Sequence, residues 1–101
     1  MADFEVYKMP GHSKGSLFYV HHGLSVVFTG DSFASLGGPT GFPEHCHFDL
    51  SRQAASLRGF LSTAFVRHVL PSHGQPMSFE NEAQRAKAFE AAAAQLAGAR
   101  L

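Results

Sequence analysis

The sequence predicts one small α/β domain, and three observations carry that reading. Four short apolar runs rich in β-branched and aromatic residues read as strands: Phe4 to Met9, Ser16 to His21, Leu24 to Thr29 and Val66 to Leu70. Two longer stretches repeat apolar residues every three or four positions and read as amphipathic helices. The order is three strands, a loop, a helix, a strand and a helix. A length of 101 residues suits a single domain, 1–101, with one core. At 45% hydrophobic and 16% charged residues, the chain is of the globular class and not the disordered one.

Each element has a local reason. Pro10-Gly11 ends the first strand, and His12-Ser13-Lys14-Gly15 is a polar turn. His22-Gly23 reads as a two-residue hairpin turn between the second and third strands. Those two strands are apolar on both faces, as in a sheet covered on both sides. From Ser32 to Glu44 the pattern breaks, and Gly37-Gly38-Pro39-Thr40-Gly41-Phe42-Pro43 is a loop of the kind that sits over a site. Asp49 or Ser51 caps the next helix, whose inner stripe is Leu50, Ala54, Leu57, Leu61 and Ala64. Gly59 weakens that helix slightly. Pro71 stops the fourth strand. Ser78 caps a last helix with Glu80 and Glu82 in its first turn, where acids suit the dipole. Its inner stripe is Phe79, Ala83, Ala86, Phe89 or Glu90, Ala93 and Leu96.

Composition excludes several classes. The formal net charge is zero and no basic patch points to nucleic acid. The apolar runs are too short for a membrane span, and the N-terminal residues carry no secretory signal. Cys46 is the one cysteine, so no internal disulfide forms, which fits a reducing compartment. The expectation is a soluble cytoplasmic or organellar chain.

The chemistry stands where apolar runs end. The run Leu24 to Thr29 finishes in Gly30-Asp31, and a carboxylate there needs a partner or a cation. Gly11-His12 follows the first strand, and Ser72-His73-Gly74 follows the last. Two imidazoles and a carboxylate are donors that suit zinc. Taken singly, each is equally an ordinary turn residue. Gly11, Gly30 and Gly74 allow close backbone approach beside them.

Three stretches resemble successive motifs of the metallo-β-lactamase-fold hydrolases: Gly11-His12-Ser13-Lys14-Gly15-Ser16, Phe28-Thr29-Gly30-Asp31 and Leu70-Pro71-Ser72-His73-Gly74. The resemblance covers roughly Phe4 to Leu96. It implies half of a four-layer αβ/βα sandwich, with a mostly antiparallel or mixed sheet and two helices on one face. It also implies a site of two zinc ions in the complete fold. There His12 would complete the ligands of the first metal, Asp31 would bridge both and His73 would bind the second. Asp31 would thereby position a metal-bound hydroxide that attacks a small-molecule thioester or ester.

The family's first ligand set, His-x-His-x-Asp-His at an earlier strand end, has no counterpart before His12. The resemblance is therefore to the C-terminal half, and this chain alone is expected to bind zinc weakly or not at all and to be inactive. His45-Cys46-His47-Phe48-Asp49 reads His-x-His-x-Asp but falls after Asp31. Its ordinary reading is a polar loop entering a helix. Its other reading is a substrate-side loop or auxiliary metal site using His45 and His47. His21 and His22 read as solvated turn residues and His68 as a hydrogen-bonded core histidine. Half a sandwich leaves a sheet face bare around Leu17, Tyr19, Val26 and Phe28. The expected partners are thus the missing N-terminal half or a second copy. The alternatives to a hydrolase half are a non-catalytic remnant and a homo-oligomeric metal-binding or interaction module.

Overall fold

Three consecutive strands, the second and third alternating between buried and exposed residues, build the centre of the structure. In the computed structural model, which describes residues 4–35, 38–41, 48–63 and 65–98, these are β1 (Phe4–Lys8), β2 (Leu17–His21) and β3 (Val26–Gly30). They form an antiparallel meander in which Val6 faces Tyr19, and Tyr19 faces Phe28. A fourth strand, β6 (His68–Pro71), lies parallel to β3, with Val27 opposite Val69 and Phe28 opposite Leu70. β7 (Met77–Ser78) pairs antiparallel with β6 and completes the order β1-β2-β3-β6-β7. The sheet is mixed. A separate two-stranded ribbon joins β4 (Ala34–Ser35) to β5 (Pro39–Thr40). The sequence patterns do not show β4, β5 and β7, because two-residue strands carry no readable period.

Both helices pack on one face of the sheet. They are α1 (Leu50–Phe60) and α2 (Glu82–Gly98). Neither is long and apolar enough to cross a membrane. Phe18, Val20, Val27 and Val69 point toward the helices and are wholly buried. Phe60 meets Phe18 edge-on at 5.0 Å, and Phe89 stacks on Phe60 at 5.7 Å and on Phe33 at 4.5 Å. Each buried phenylalanine contributes roughly 2–3 kcal/mol of burial, with about 1 kcal/mol more for a well-placed ring pair. Across the helix pair, the guanidinium of Arg58 donates to the Glu90 carboxylate, from Nε to both oxygens at 3.0 and 3.1 Å and from Nη2 at 2.7 Å.

Three local expectations are corrected. The turn between β2 and β3 takes His22 to Ser25 and not two residues. Ser25 has φ +53°, and it is committed to β6: its Oγ accepts from Arg67 N and its carbonyl from His68 N. Asn81, not Ser78, caps α2, through a 3.0 Å bond accepted from Gln84 N. Ser78 is spent on the sheet, where its Oγ lies 2.8 Å from Nδ1 of His68. The inner stripe of α2 is Arg85, Ala88, Phe89, Ala92, Ala93 and Leu96, rotated from the expected one so that Ala83 is exposed. The run of alanines gives α2 a weak apolar stripe, and the position of Arg85 decides its rotation. Asp49 does cap α1, accepting from Arg52 N at 2.9 Å. Gln53 and Phe60 join Ala54 and Leu57 on the buried side. Ala64 lies outside the described residues.

The opposite sheet face is bare among the described residues. Val6, Tyr19 and Phe28, neighbours in one cross-strand row, are each more than two-fifths exposed. Leu17 and Val26 are half-buried.

Candidate metal centre

His12 is delivered by a turn that leaves β1 and returns to β2. Met9 N donates to Ser16 O at 2.8 Å and closes its base. Inside it, Ser13 N donates to Ser16 Oγ, and the two hydroxyls lie 2.8 Å apart. Helix α1 pins the turn from outside. Asp49 N donates to Gly11 O at 2.8 Å, and Ser56 Oγ to Pro10 O at 2.7 Å. Gly11 has φ +142°, and a Cβ there would stand 2.1 Å from Gln53 Cα. Only glycine fits that contact.

Asp31 sits just beyond β3. The register slips between Phe28 and Gly30, and Gly30 takes φ +57°, so the chain turns as the strand ends. Ser72 N donates to Gly30 O at 3.1 Å, which ties this corner to the end of β6. Below it, Thr29 Oγ1 donates to Phe33 O at 2.9 Å. Gln53 Nε2, buried under the loop, donates to Ser32 O at 3.0 Å and Gly41 O at 2.7 Å. Gln53 is a positioning residue that sequence reasoning missed, since a glutamine on a helix reads as surface.

His73 follows β6, and its Nε2 lies 3.1 Å from Oδ1 of Asp31. Both side chains are about half exposed, so the pair adds little to stability. Its interest is positional. Asp31 and His12 line one cavity of about 260 Å³, shared with Ser13, Ser16, Thr29 and Ser32. Three strand ends, distant in sequence, thus bring their polar residues to one side of the molecule. Gly74 takes φ +90° beside His73.

Known proteins fit this arrangement at the level of fold. No family model matches the sequence, and no curated protein matches it. Solved structures do. DIM-1 metallo-β-lactamase exposed to ceftazidime superposes with a TM-score of 0.66 at 20% identity, over 89% of this chain and 42% of that one. The metallo-β-lactamase FIM-1 from Pseudomonas aeruginosa, in its mono-zinc form, gives 0.61 at 21% identity, over 87% and 39%. This chain has half of the metallo-β-lactamase fold. TTHA1623 in a di-iron-bound form is similar at 29% identity and a TM-score of 0.64, over 84% of this chain and 42% of that one. The chain therefore spans about two-fifths of the length of these proteins.

Within this half-fold, one donor pair has the spacing of two ligands on a single ion. Two donors about 2.0–2.1 Å from a tetrahedral ion stand roughly 3.3 Å apart, close to the Asp31–His73 separation. Among the described residues no three histidine, cysteine or acidic side chains are grouped tightly enough to hold an ion. His45, Cys46 and His47 lie outside the described residues, so the His-x-His-x-Asp stretch has no placement here. The other histidines stand elsewhere in the fold. His22 Nε2 lies 2.7 Å from Glu5 Oε1, His21 meets Phe4 edge-on, and His68 pairs with Ser78.

Proposed function

We propose that the chain supplies half of a hydrolytic metal centre, with His12, Asp31 and His73 as ligands. The observation that carries this reading is the Asp31–His73 contact at the rim of the cavity that His12 also lines. The mono-zinc and di-iron neighbours of the same fold support a metal role. A divalent cation would supply Lewis acidity toward a carbonyl oxygen and lower the pKa of a water. Asp31, with two carboxylate oxygens, suits a bridging place between two cations. His73 and His12 come from separate loops, each braced by backbone bonds. The hydroxyls of Ser13 and Ser16 are placed to orient a substrate in the cavity. The remaining ligands would come from a His-x-His-x-Asp-His cluster on another segment or another chain. The substrate we assign is a thioester or ester.

Calorimetric titration with zinc tests the ligand set. Weak binding is expected, lowered at least about tenfold by Asp31→Asn or His73→Ala. Equal heats for wild type, His12→Ala, Asp31→Asn and His73→Ala would overturn the reading. A second reading is an interaction module that self-associates or takes up an N-terminal half through the bare sheet face, and the exposed row Val6, Tyr19 and Phe28 favours it.

A further inference from the structure

A second cavity, of about 470 Å³, lies between helix α2, the β7 end of the sheet and the short ribbon. Met77 and Phe79 line it from the sheet side, Pro39 from β5, and Ala88 and Ala91 from α2. None of them lines the cavity of His12 and Asp31. The volume is in the range that takes a small molecule, and walls of this kind suit an apolar body. Small side chains at Ala88 and Ala91 leave space that a larger residue would fill.

Three polar residues complete the lining: Ser78, Gln84 and Lys87. The hydroxyl of Ser78 is engaged with Nδ1 of His68. Gln84 and Lys87 stand three residues apart, on the side of α2 that also carries Ala88 and Ala91. Gln84 Oε1 accepts from Glu80 N at 2.7 Å, so this side chain has its two N–H donors left to offer. Lys87 is exposed and forms no ion pair among the described residues, and Glu90, one turn further on, is taken by Arg58. An apolar hollow is thus edged by donors, one of them charged, and its complement is an apolar body with an anionic acceptor at one end.

We infer that this cavity binds an aliphatic carboxylate. The hydrocarbon chain lies against Met77, Phe79 and Ala91, and the carboxylate accepts from the Lys87 ammonium and the Gln84 amide. A small inorganic anion would leave the apolar walls uncovered, and a neutral alcohol would leave the ammonium without a counter-charge. The inference stands apart from the metal reading, since the two cavities share no lining residue.

Backbone-amide NMR titrations with sodium butanoate, hexanoate and octanoate, all below micellar concentration, test it, with 1-octanol as the neutral control. Saturable shifts are expected at Met77, Phe79, Lys87 and Ala91. The Kd should fall about fourfold for each added methylene. It should rise about fivefold for octanoate in Lys87→Gln, with 1-octanol unaffected by that change. Ala91→Phe, which fills the hollow, should abolish binding while circular dichroism shows the helices kept. Shifts centred on Tyr19 and Phe28 would put the chain on the bare sheet face and overturn the assignment. So would 1-octanol binding as tightly as octanoate, or an octanoate Kd that neither variant moves.

Discussion

At Gly11 the backbone is left-handed and helix α1 passes so close that no side chain fits. Gly11→Ala is expected to destabilise the chain by about 3 kcal/mol or more, since both φ strain and a backbone clash must be relieved. Urea denaturation measures this. The glycines beside His12, Asp31 and His73 were readable from the sequence because each interrupts an apolar run next to a polar residue. Gln53 and Arg85 were not, since both occur far more often on surfaces. Arg85 is buried, over Phe60 and Phe65, and its Nη2 donates to Leu61 O, Thr63 O and Glu82 Oε1. It holds the end of α1 to the start of α2, and Arg85→Ala is expected to cost about 3 kcal/mol. At the surface, bonds from His22 and then Tyr7 hold the Glu5 carboxyl below its usual range. A lowered carboxyl adds stability above its ordinary value that is lost as pH falls through the lowered one. Glu5→Gln should therefore shrink the drop in denaturation midpoint measured from about pH 5 to about pH 3.

At the scale of elements, helix starts are decided by which side chain is free to turn back. Asp49 could be anticipated, because it stands just before the first periodic leucine. Ser78 looked equally apt, but the sheet claims it, and that pairing depends on a strand ten residues away. Asp49→Ala and Asn81→Ala are each expected to cost about 1 kcal/mol. Ser78→Ala should leave the helical circular dichroism of α2 unchanged, so comparing the three variants in thermal melts checks the assignment. The strand runs, by contrast, were plain in the sequence. Which face meets the helices was not, since both faces are apolar; the structure buries Phe18, Val20 and Val27 and exposes Tyr19 and Phe28.

For the whole molecule, the sheet's second face sets the behaviour in solution. A row running from Val6 through Tyr19 and Phe28 to Leu70 crosses four strands without helices over it among the described residues. We expect the isolated chain to self-associate at high micromolar concentration, and Tyr19→Lys with Phe28→Lys to return it to monomer. Sedimentation velocity reads both, and a monodisperse wild-type monomer would exclude the self-association. The half-fold was legible as a whole because its three motifs sit at strand ends. The substrate was not, because none of the three motifs specifies it.

The parallel neighbourhood of β3 and β6 has a kinetic corollary. The β1–β3 meander closes short loops, whereas bringing β6 beside β3 must first overcome the entropy of a long intervening segment. Asp31 and His73 meet only across that long-range closure. A cation held between them would add a tie between the meander and β6.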